Sequence, residues 1–158
     1  MSRFSELGAN KFTILMKLIS KKEIVKCLVS NEPNFLDVQL PDDFNAPSLI
    51  YKNIYPWRFI PTVQTEANTF ITMKFNYKPN GRTFKYGSIH FYIILHNSLI
   101  KTDYGSLRYD MLLNYIDEVF NSSEDLGFNE LEFYDMDEFL VNENYSGIYI
   151  TYKMQEFQ

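Results

Sequence analysis

The sequence predicts an α+β fold with a mainly antiparallel sheet, a long β-hairpin and helices packed on one face, in the order ααββαββ. Two alternating apolar segments flank an Asn80-Gly81 pair, which favours a tight hairpin turn. Apolar residues at helical spacing occur in 9–31 and again in 107–120. Because the chain has 158 residues, a single domain spanning 1–158 is expected.

Residues 9–31 are expected to form two short helices. Ser20 followed by Glu23 has the spacing of a capping box, which places the start of the second helix at Ser20. Cys27, the lone cysteine, is expected to be a small core residue, and its having no possible partner in the chain favours a reducing compartment. The apolar positions at three- and four-residue steps are Phe12, Leu15, Met16, Ile19, Ile24, Cys27 and Leu28.

Residues 32–66 hold five of the six prolines, so an extended and irregular segment is predicted. Its many apolar side chains, including those of IYPWRFIP, indicate that it is ordered. Two interpretations stay open for IYPWRFIP: packing across the sheet, or contact with a neighbouring subunit. Tyr55, Trp57 and Arg58 are the candidate contact residues.

The hairpin is predicted from alternation on both sides of Asn80-Gly81. Its buried face should carry Ile71, Met73, Phe75 and Tyr77 on one strand and Ile89, Phe91, Ile93 and Leu95 on the other. The tip carries Lys78, Arg82 and Lys85 in a chain whose net charge is −5. These charges either keep the hairpin from pairing edge to edge or form a contact arm for an acidic subunit or nucleic acid.

The C-terminal part should contain a helix over 107–120 with Ser106 as N-cap. Its apolar stripe begins at Leu107, and Arg108 is expected to face away from the core. Strands are predicted at about 129–135 and about 147–154, with an irregular acidic segment between them.

His90 and His96 are the candidates for acid–base chemistry. They share one strand face about 20 Å apart, too far to hold one metal ion together. His96, Asp103 and either Ser98 or Ser106 are the residue types of a hydrolytic triad, but no GxSxG turn accompanies them. Both histidines are therefore expected to be polar-face residues of a strand.

Other functional classes find little support in the sequence. The acidic residues of 130–138 lack the EF-hand spacing, and no phosphate-binding glycine motif occurs. The net charge of −5 disfavours general nucleic-acid binding. No signal peptide and no apolar run of about 20 residues is found, which predicts a soluble protein made in a cytoplasm. We therefore expect no enzyme activity, no cofactor and no metal site.

The chain resembles the tail-terminator and neck-ring proteins of tailed bacteriophages over nearly its whole length. The similar features, in chain order, are NKFTILMKLISKKEIVKCLV, IYPWRFIP, TFITMKF, IHFYIILHNSLIKT, YGSLRYDMLLNYIDEVFN and SGIYITYKMQEF. The resemblance implies a structural virion protein of the tail or neck, assembled in the host cytoplasm. Such a protein forms a ring, commonly a hexamer, at the head-proximal end of the tail.

What the resemblance implies about partners is equally specific. The ring ends tail-tube growth and joins the tail to the head connector, so its partners are other copies of the chain, the tail-tube protein and the head-connector protein. DNA passes through the lumen without sequence-specific binding, and no catalytic residue is carried over. A ring needs two unlike surfaces. The candidate interface residues are Tyr55, Trp57, Arg58, Lys78, Arg82 and Lys85.

Three alternatives stay open. The first is another ring of the neck or connector. The second is a non-phage α+β module that binds one protein target as a monomer or dimer. The third is a small hydrolase or transferase that uses His90 or His96.

Overall fold

The structure, a computed structural model, describes residues 7–80, 84–121 and 131–156. Its helices are α1 Leu7–Ser20, α2 Lys22–Val29 and α3 Arg108–Phe120. Its strands are β1 Ile54–Tyr55, β2 Thr69–Asn80, β3 Phe84–His96, β4 Glu132–Leu140 and β5 Tyr145–Glu156. The predicted α+β class is confirmed, and the short β1 is added to the predicted order.

Across the described residues the strands lie in the order β1-β2-β3-β5-β4. β1 runs parallel to β2, and the other neighbouring strands are antiparallel. The long hairpin of β2 and β3 is confirmed, with its last pair at Asn80 and Phe84. Residues 81–83 of the turn, Arg82 among them, lie outside the described residues.

The predicted two-residue turn at Asn80-Gly81 is wrong in register. That turn would place Ile71 opposite His90, so the buried residues of β2 and β3 would lie on opposite faces of the sheet. Ile71 instead pairs with Ile93, and Met73 pairs with Phe91. Burial of one common face therefore decides the register against the local turn preference.

The first face of the sheet packs against the three helices and forms the main core. The predicted buried positions Ile71 and Met73 of β2 are confirmed, and Phe75 is half-buried; the Tyr77 side chain lies outside the described residues. The other fully or almost fully buried side chains of this face are Ile89, Phe91, Ile93, Leu95, Ile148, Ile150 and Tyr152.

Helix α1 buries only part of the predicted apolar set: Leu15 and Ile19 are buried as predicted, whereas Phe12 and Met16 are not. Phe12 is 58% exposed and Met16 is also exposed. The residues that pack against α2 and the 46–49 turn are Ile14, Leu15, Leu18 and Ile19. Apolar residues cover more than one face of this helix, so tertiary contacts decide which face is buried. The position of Cys27 in the core is confirmed.

The predicted capping box is wrong. Ser20 is the last residue of α1, and its hydroxyl donates to the Lys17 carbonyl at 2.6 Å. The N-cap of α2 is Lys21, which makes no side-chain capping bond. The serine hydroxyl satisfies a carbonyl of its own helix, a local bond that competes with capping of the next one.

Helix α3 begins at Arg108, with Leu107 and not Ser106 as its N-cap. The Ser106 carbonyl accepts a bond from the Thr102 hydroxyl, and Leu107 is exposed. Arg108, predicted to face solvent, is 0% exposed. Its guanidinium donates to the carbonyls of Leu99, Cys27, Ser30 and Glu32. This bonding joins the start of α3 to the end of α2.

Strand β4 extends further than predicted. Residues 136–140, expected to be irregular, belong to it, and 129–130 lie outside the described residues. Between Glu132 and Glu138 its side chains are exposed on both faces. Such a strand shows no apolar–polar alternation, so the local residue pattern does not indicate where it ends.

In the part of the chain that the structure describes, every helix falls short of the length and apolar character needed to cross a bilayer.

Candidate interaction site

The IYPWRFIP segment crosses the second face of the sheet, opposite the helices. Tyr55 and Phe59 stack with ring centroids 4.2 Å apart, and Phe59 lies 5.1 Å from Phe70 of β2. A second apolar cluster, whose buried members are Phe70, Tyr92, Ile94 and Tyr145, lies beneath the segment. Of the two interpretations left open for this segment, packing across the sheet is therefore correct for Tyr55 and Phe59.

Polar side chains from the β4–β5 connection fix the backbone of this segment. Asn142 Nδ2 donates to the Pro61 carbonyl at 3.0 Å, and Asn144 Nδ2 donates to the Val63 carbonyl at 2.9 Å. The Tyr145 hydroxyl donates to the Glu66 carbonyl at 2.6 Å. These bonds explain how a segment without regular secondary structure holds its side chains in fixed positions.

Arg58 lies over the second apolar cluster. Its Cζ atom is 4.3 Å from the centroid of the Tyr92 ring and 5.8 Å from that of Phe139. A guanidinium over an aromatic face is a favourable cation–π contact. Arg58 therefore shields the Tyr92 ring while its own side chain stays accessible to solvent.

Trp57 points away from the cluster and forms an exposed pair with Tyr51. Trp57 is 51% exposed and Tyr51 is 63% exposed. Their rings stack at 5.6 Å with an interplanar angle of 23°, and Tyr55 meets Trp57 edge-on at 5.3 Å. We call Tyr51, Tyr55 and Trp57 the aromatic patch. Tyrosine and tryptophan are enriched at binding interfaces, because each combines a large rigid face with a polar tip.

Tyr51 has a left-handed backbone, with φ of +69°, which is rare for a bulky residue. The turn that imposes this conformation is well fixed. The Tyr51 N–H donates to the Ile54 carbonyl at 2.8 Å. The buried Asn53 amide donates to Thr69 O at 2.9 Å and to Asn68 Oδ1 at 3.0 Å. Strained residues of this kind cluster at functional sites.

Tyr51 was missed as a site residue, because its conformation depends on contacts with residues distant in the sequence. The buried bonds of Asn53 to Asn68 and Thr69 position the turn, and nothing in the local stretch SLIYKN indicates them. The Lys52-Asn53 pair after Tyr51 is the only local turn signal.

The basic residues of the hairpin lie apart from the aromatic patch. Tyr55 pairs with Thr72, whereas Lys78 lies six positions further along β2, about 20 Å away. Lys85 is in β3 and pairs with Pro79. The side chains of Lys78 and Lys85 lie outside the described residues, as does all of Arg82. The backbone positions of Lys78 and Lys85 are therefore separate from the group formed by Tyr55, Trp57 and Arg58.

The two histidines occupy ordinary sheet and turn positions. Thr151 Oγ1 lies 2.8 Å from His90 Nδ1, and burial lowers the His90 pKa below its usual value. Lys74 and Arg58 act in the same direction, and Asp135 opposes them. His96 is the N-cap of the Asn97–Leu99 turn, since its Nδ1 accepts from the Ser98 N–H at 3.2 Å.

The residue types considered for a hydrolytic triad come together only in part. The Ser98 hydroxyl lies 2.8 Å from His96 Nδ1. Asp103 lies in the following turn, where its N–H donates to the Pro33 carbonyl. Gly105 lies in the same turn with a φ of +75°, a conformation that glycine adopts without strain. Among the described residues, no three His, Cys, Asp or Glu side chains are grouped so that they would hold a metal ion.

Cys27 has the properties of a core thiol. Burial raises its pKa to about 11, although the nearby Arg108 guanidinium acts in the opposite direction. A thiol with that pKa is almost entirely protonated at neutral pH, and the thiolate is the reactive form. Both its buried position and its raised pKa therefore indicate that Cys27 contributes to core packing and is not a reactive thiol.

A groove of about 510 Å³ lies between α3 and β4. Asp117 on its α3 side accepts a 2.6 Å bond from the Tyr152 hydroxyl. The groove combines apolar, acidic and amide side chains, which are Asp110, Leu113, Asn114, Asp117, Asn121, Phe133, Met136 and Ile150. The sequence did not indicate it, because α3 and β4 are brought together only through β5.

Comparison with known proteins adds a family assignment. No curated protein matches the chain. A family model described as YomW matches residues 21–154, which include α2, α3, the strands β1 to β4 and β5 as far as residue 154. The aromatic patch and the groove both lie within the matched residues. The chain therefore belongs to the YomW family.

Proposed function

We propose that this chain is a structural subunit of a bacteriophage particle. In this proposal it forms a ring, commonly a hexamer, at the head-proximal end of the tail. The ring ends growth of the tail tube and joins it to the head connector. The YomW family supports the proposal at a coarse level, because its name hints at a phage-related protein.

The aromatic patch is the observation that carries the proposal. Tyr51 and Trp57 present a stacked and largely exposed pair on a fixed turn. Exposed aromatic side chains held in one conformation lose little entropy on binding and are frequent anchors of protein–protein contacts. The patch therefore supports docking on a protein surface, such as the tail tube or the head connector.

The charge of the chain supports the part of the proposal that concerns DNA. The net charge is −5, so a ring of several copies would be strongly acidic. An acidic lumen repels the phosphate backbone, and DNA would pass through without binding. No sequence-specific contact with DNA is part of the proposal.

Deletion of the gene from the phage or prophage that encodes the chain tests the proposal. Electron microscopy should then find detached heads and tails of irregular length, because nothing ends tube growth. The wild-type gene supplied in trans should restore tailed particles, whereas Trp57→Ser should not. Phe12→Ser is the matched control, since Phe12 is equally exposed but lies on α1, away from the patch.

Two results would contradict the proposal. One is a deletion that still yields particles with normal tails. The other is purified particles in which mass spectrometry does not detect the chain. If the chain is missing from particles but binds one protein through Trp57, it is a binding module and not a ring subunit.

A further inference from the structure

One outer edge of the sheet is formed by β4, which pairs with β5 on its inner side. No strand of the described residues pairs with its outer side. Phe133 and Tyr134 are exposed, and Leu140 is 100% exposed. A nine-residue edge strand with open hydrogen-bonding groups and exposed apolar side chains can template pairing with another chain.

This edge is acidic. The strand EFYDMDEFL contains no basic residue. Its four exposed carboxylates belong to Glu132, Asp135, Asp137 and Glu138. Two copies cannot approach each other through this edge without bringing like charges together, which disfavours pairing of β4 with β4.

The opposite edge of the sheet is partly covered. β1 pairs with β2 only at Ile71 and Thr72, so within the described residues no strand pairs with the outer side of 73–80. This stretch, MKFNYKPN, carries Lys74 and Lys78 and contains no acidic residue. It also contains Pro79, a residue that sheets tolerate on edge strands. The second edge is therefore basic.

One row of paired residues crosses the sheet from the basic edge to the acidic edge. Lys74 pairs with His90, His90 pairs with Thr151, and Thr151 pairs with Asp135. Directly opposite residues share a face of the sheet. Lys74 and Asp135 thus lie on the same face at the two ends of one row, where a neighbouring copy that extends the sheet would bring unlike charges together.

From this arrangement we propose that the 73–80 edge of β2 in one copy pairs with β4 of the next copy. The contact joins two different edges, so it is heterologous and each added copy leaves one basic and one acidic edge available. Like charges disfavour the two symmetric pairings, and unlike charges favour this one. The inference deepens the proposed function, because it specifies the contact by which copies would form the ring.

Charge reversal at each edge tests the pairing. The β2 variant is Lys74→Glu/Lys78→Glu, and the β4 variant is Glu132→Lys/Asp137→Lys. The matched controls change exposed charges outside both edges and are Lys52→Glu/Lys101→Glu and Asp42→Lys/Asp43→Lys. Sedimentation velocity over a concentration series measures self-association, and circular dichroism confirms that each variant is folded.

The wild-type chain and both controls should associate at similar concentrations. Each edge variant alone should need at least a tenfold higher concentration. In the β2 variant both edges are acidic, and in the β4 variant the edge of β4 has no net charge to attract the basic edge. An equimolar mixture of the two edge variants should pair again, since the unmodified basic edge of the β4 variant can meet the unmodified acidic edge of the β2 variant. Recovery in the mixture shows that the two edges meet each other and not a third surface.

Three results would overturn the pairing. The first is an edge variant that associates like the wild type, and the second is a mixture that associates no better than its components. The third is a wild-type chain that is monomeric at about 1 mM, because even a Kd in the millimolar range would give extensive association at that concentration. Trp57→Ser separates this inference from the proposed function, because it should leave self-association unchanged. If the edges pair but the chain is absent from phage particles, the pairing stands and the phage role fails.

Discussion

Arg108 at the start of α3 donates from its guanidinium to the carbonyl of Cys27 in α2, at 3.1 Å and across 81 residues of sequence. The same nitrogen reaches the Ser30 carbonyl at 2.9 Å. The carbonyls at the end of a helix lack partners within it and carry partial negative charge. The buried guanidinium satisfies them, and its Cζ lies 4.5 Å from the centroid of the Phe35 ring.

Replacing Arg108 with methionine should lower the free energy of unfolding by about 3–5 kcal/mol, because buried carbonyls lose their donors. Lysine at this position should recover only part of the loss, since a compact ammonium cannot span the carbonyls that the planar guanidinium reaches. Urea denaturation followed by circular dichroism measures both. Arg58→Met is the matched control: it removes an exposed arginine from an aromatic ring and should cost less than about 1 kcal/mol. An Arg108→Met loss that small would show that water replaces the guanidinium.

The burial of Arg108 is also an example of a feature that could not be predicted from the sequence. The strands of the hairpin were predicted correctly because the alternation in TFITMKF and SIHFYIILH is a local property of each strand. A charged residue on an amphipathic helix predicts solvent exposure. Only the approach of Cys27, Ser30 and Glu32 from a distant part of the chain makes burial favourable.

For a similar reason, only part of the candidate site could be predicted from the sequence. Trp57 was recognised because a tryptophan in a proline-rich segment needs a structural or binding role. Tyr51 was missed, since its left-handed backbone is imposed by the turn that Asn53 holds. Only the first part of β4 was predicted as a strand, and its remaining acidic residues were expected to be irregular. Its relation to the basic edge of β2 depends on the strand order, which the sequence does not specify.

Tyr51→Asn should separate stability from function. Asparagine tolerates the left-handed conformation that a tyrosine adopts at a cost of about 1–2 kcal/mol. Relief of this backbone strain stabilises the variant, whereas loss of the exposed stacking contact with Trp57 destabilises it. The free energy of unfolding should therefore change by no more than about 1 kcal/mol. Production of tailed particles should nevertheless fall at least tenfold in complementation. Tyr51→Phe keeps the ring and should behave like the wild type in both measurements. A large loss of stability in Tyr51→Asn would show that Tyr51 is needed for the stability of the fold and would contradict a role limited to binding.

Thr72→Val should stabilise the fold by about 0.5–1.5 kcal/mol. The Thr72 hydroxyl is fully buried and has no hydrogen-bond partner within the described residues. Valine has nearly the same shape and removes the desolvated hydroxyl. The matched control is Thr151→Val, whose hydroxyl lies 2.8 Å from His90 Nδ1 and whose removal should cost about 1 kcal/mol. Urea midpoints that move in opposite directions would agree with the prediction, and a destabilised Thr72→Val would mean that the hydroxyl has a partner.

His90 should make stability depend on pH below its unfolded pKa of about 6.5. Burial, Lys74 and Arg58 lower its pKa in the folded state, so in this range the unfolded state binds more protons. The His90 contribution is fully present above about pH 6.5 and is lost as the pH falls toward the lowered folded pKa. Urea denaturation from about pH 7.5 to 5.5 should show this decline in the wild type, and His90→Gln should flatten it. His96→Gln shows the decline that His90 alone causes, and the double variant His90→Gln/His96→Gln provides the histidine-free baseline. Parallel pH profiles for wild type and His90→Gln would contradict a lowered His90 pKa in the folded state.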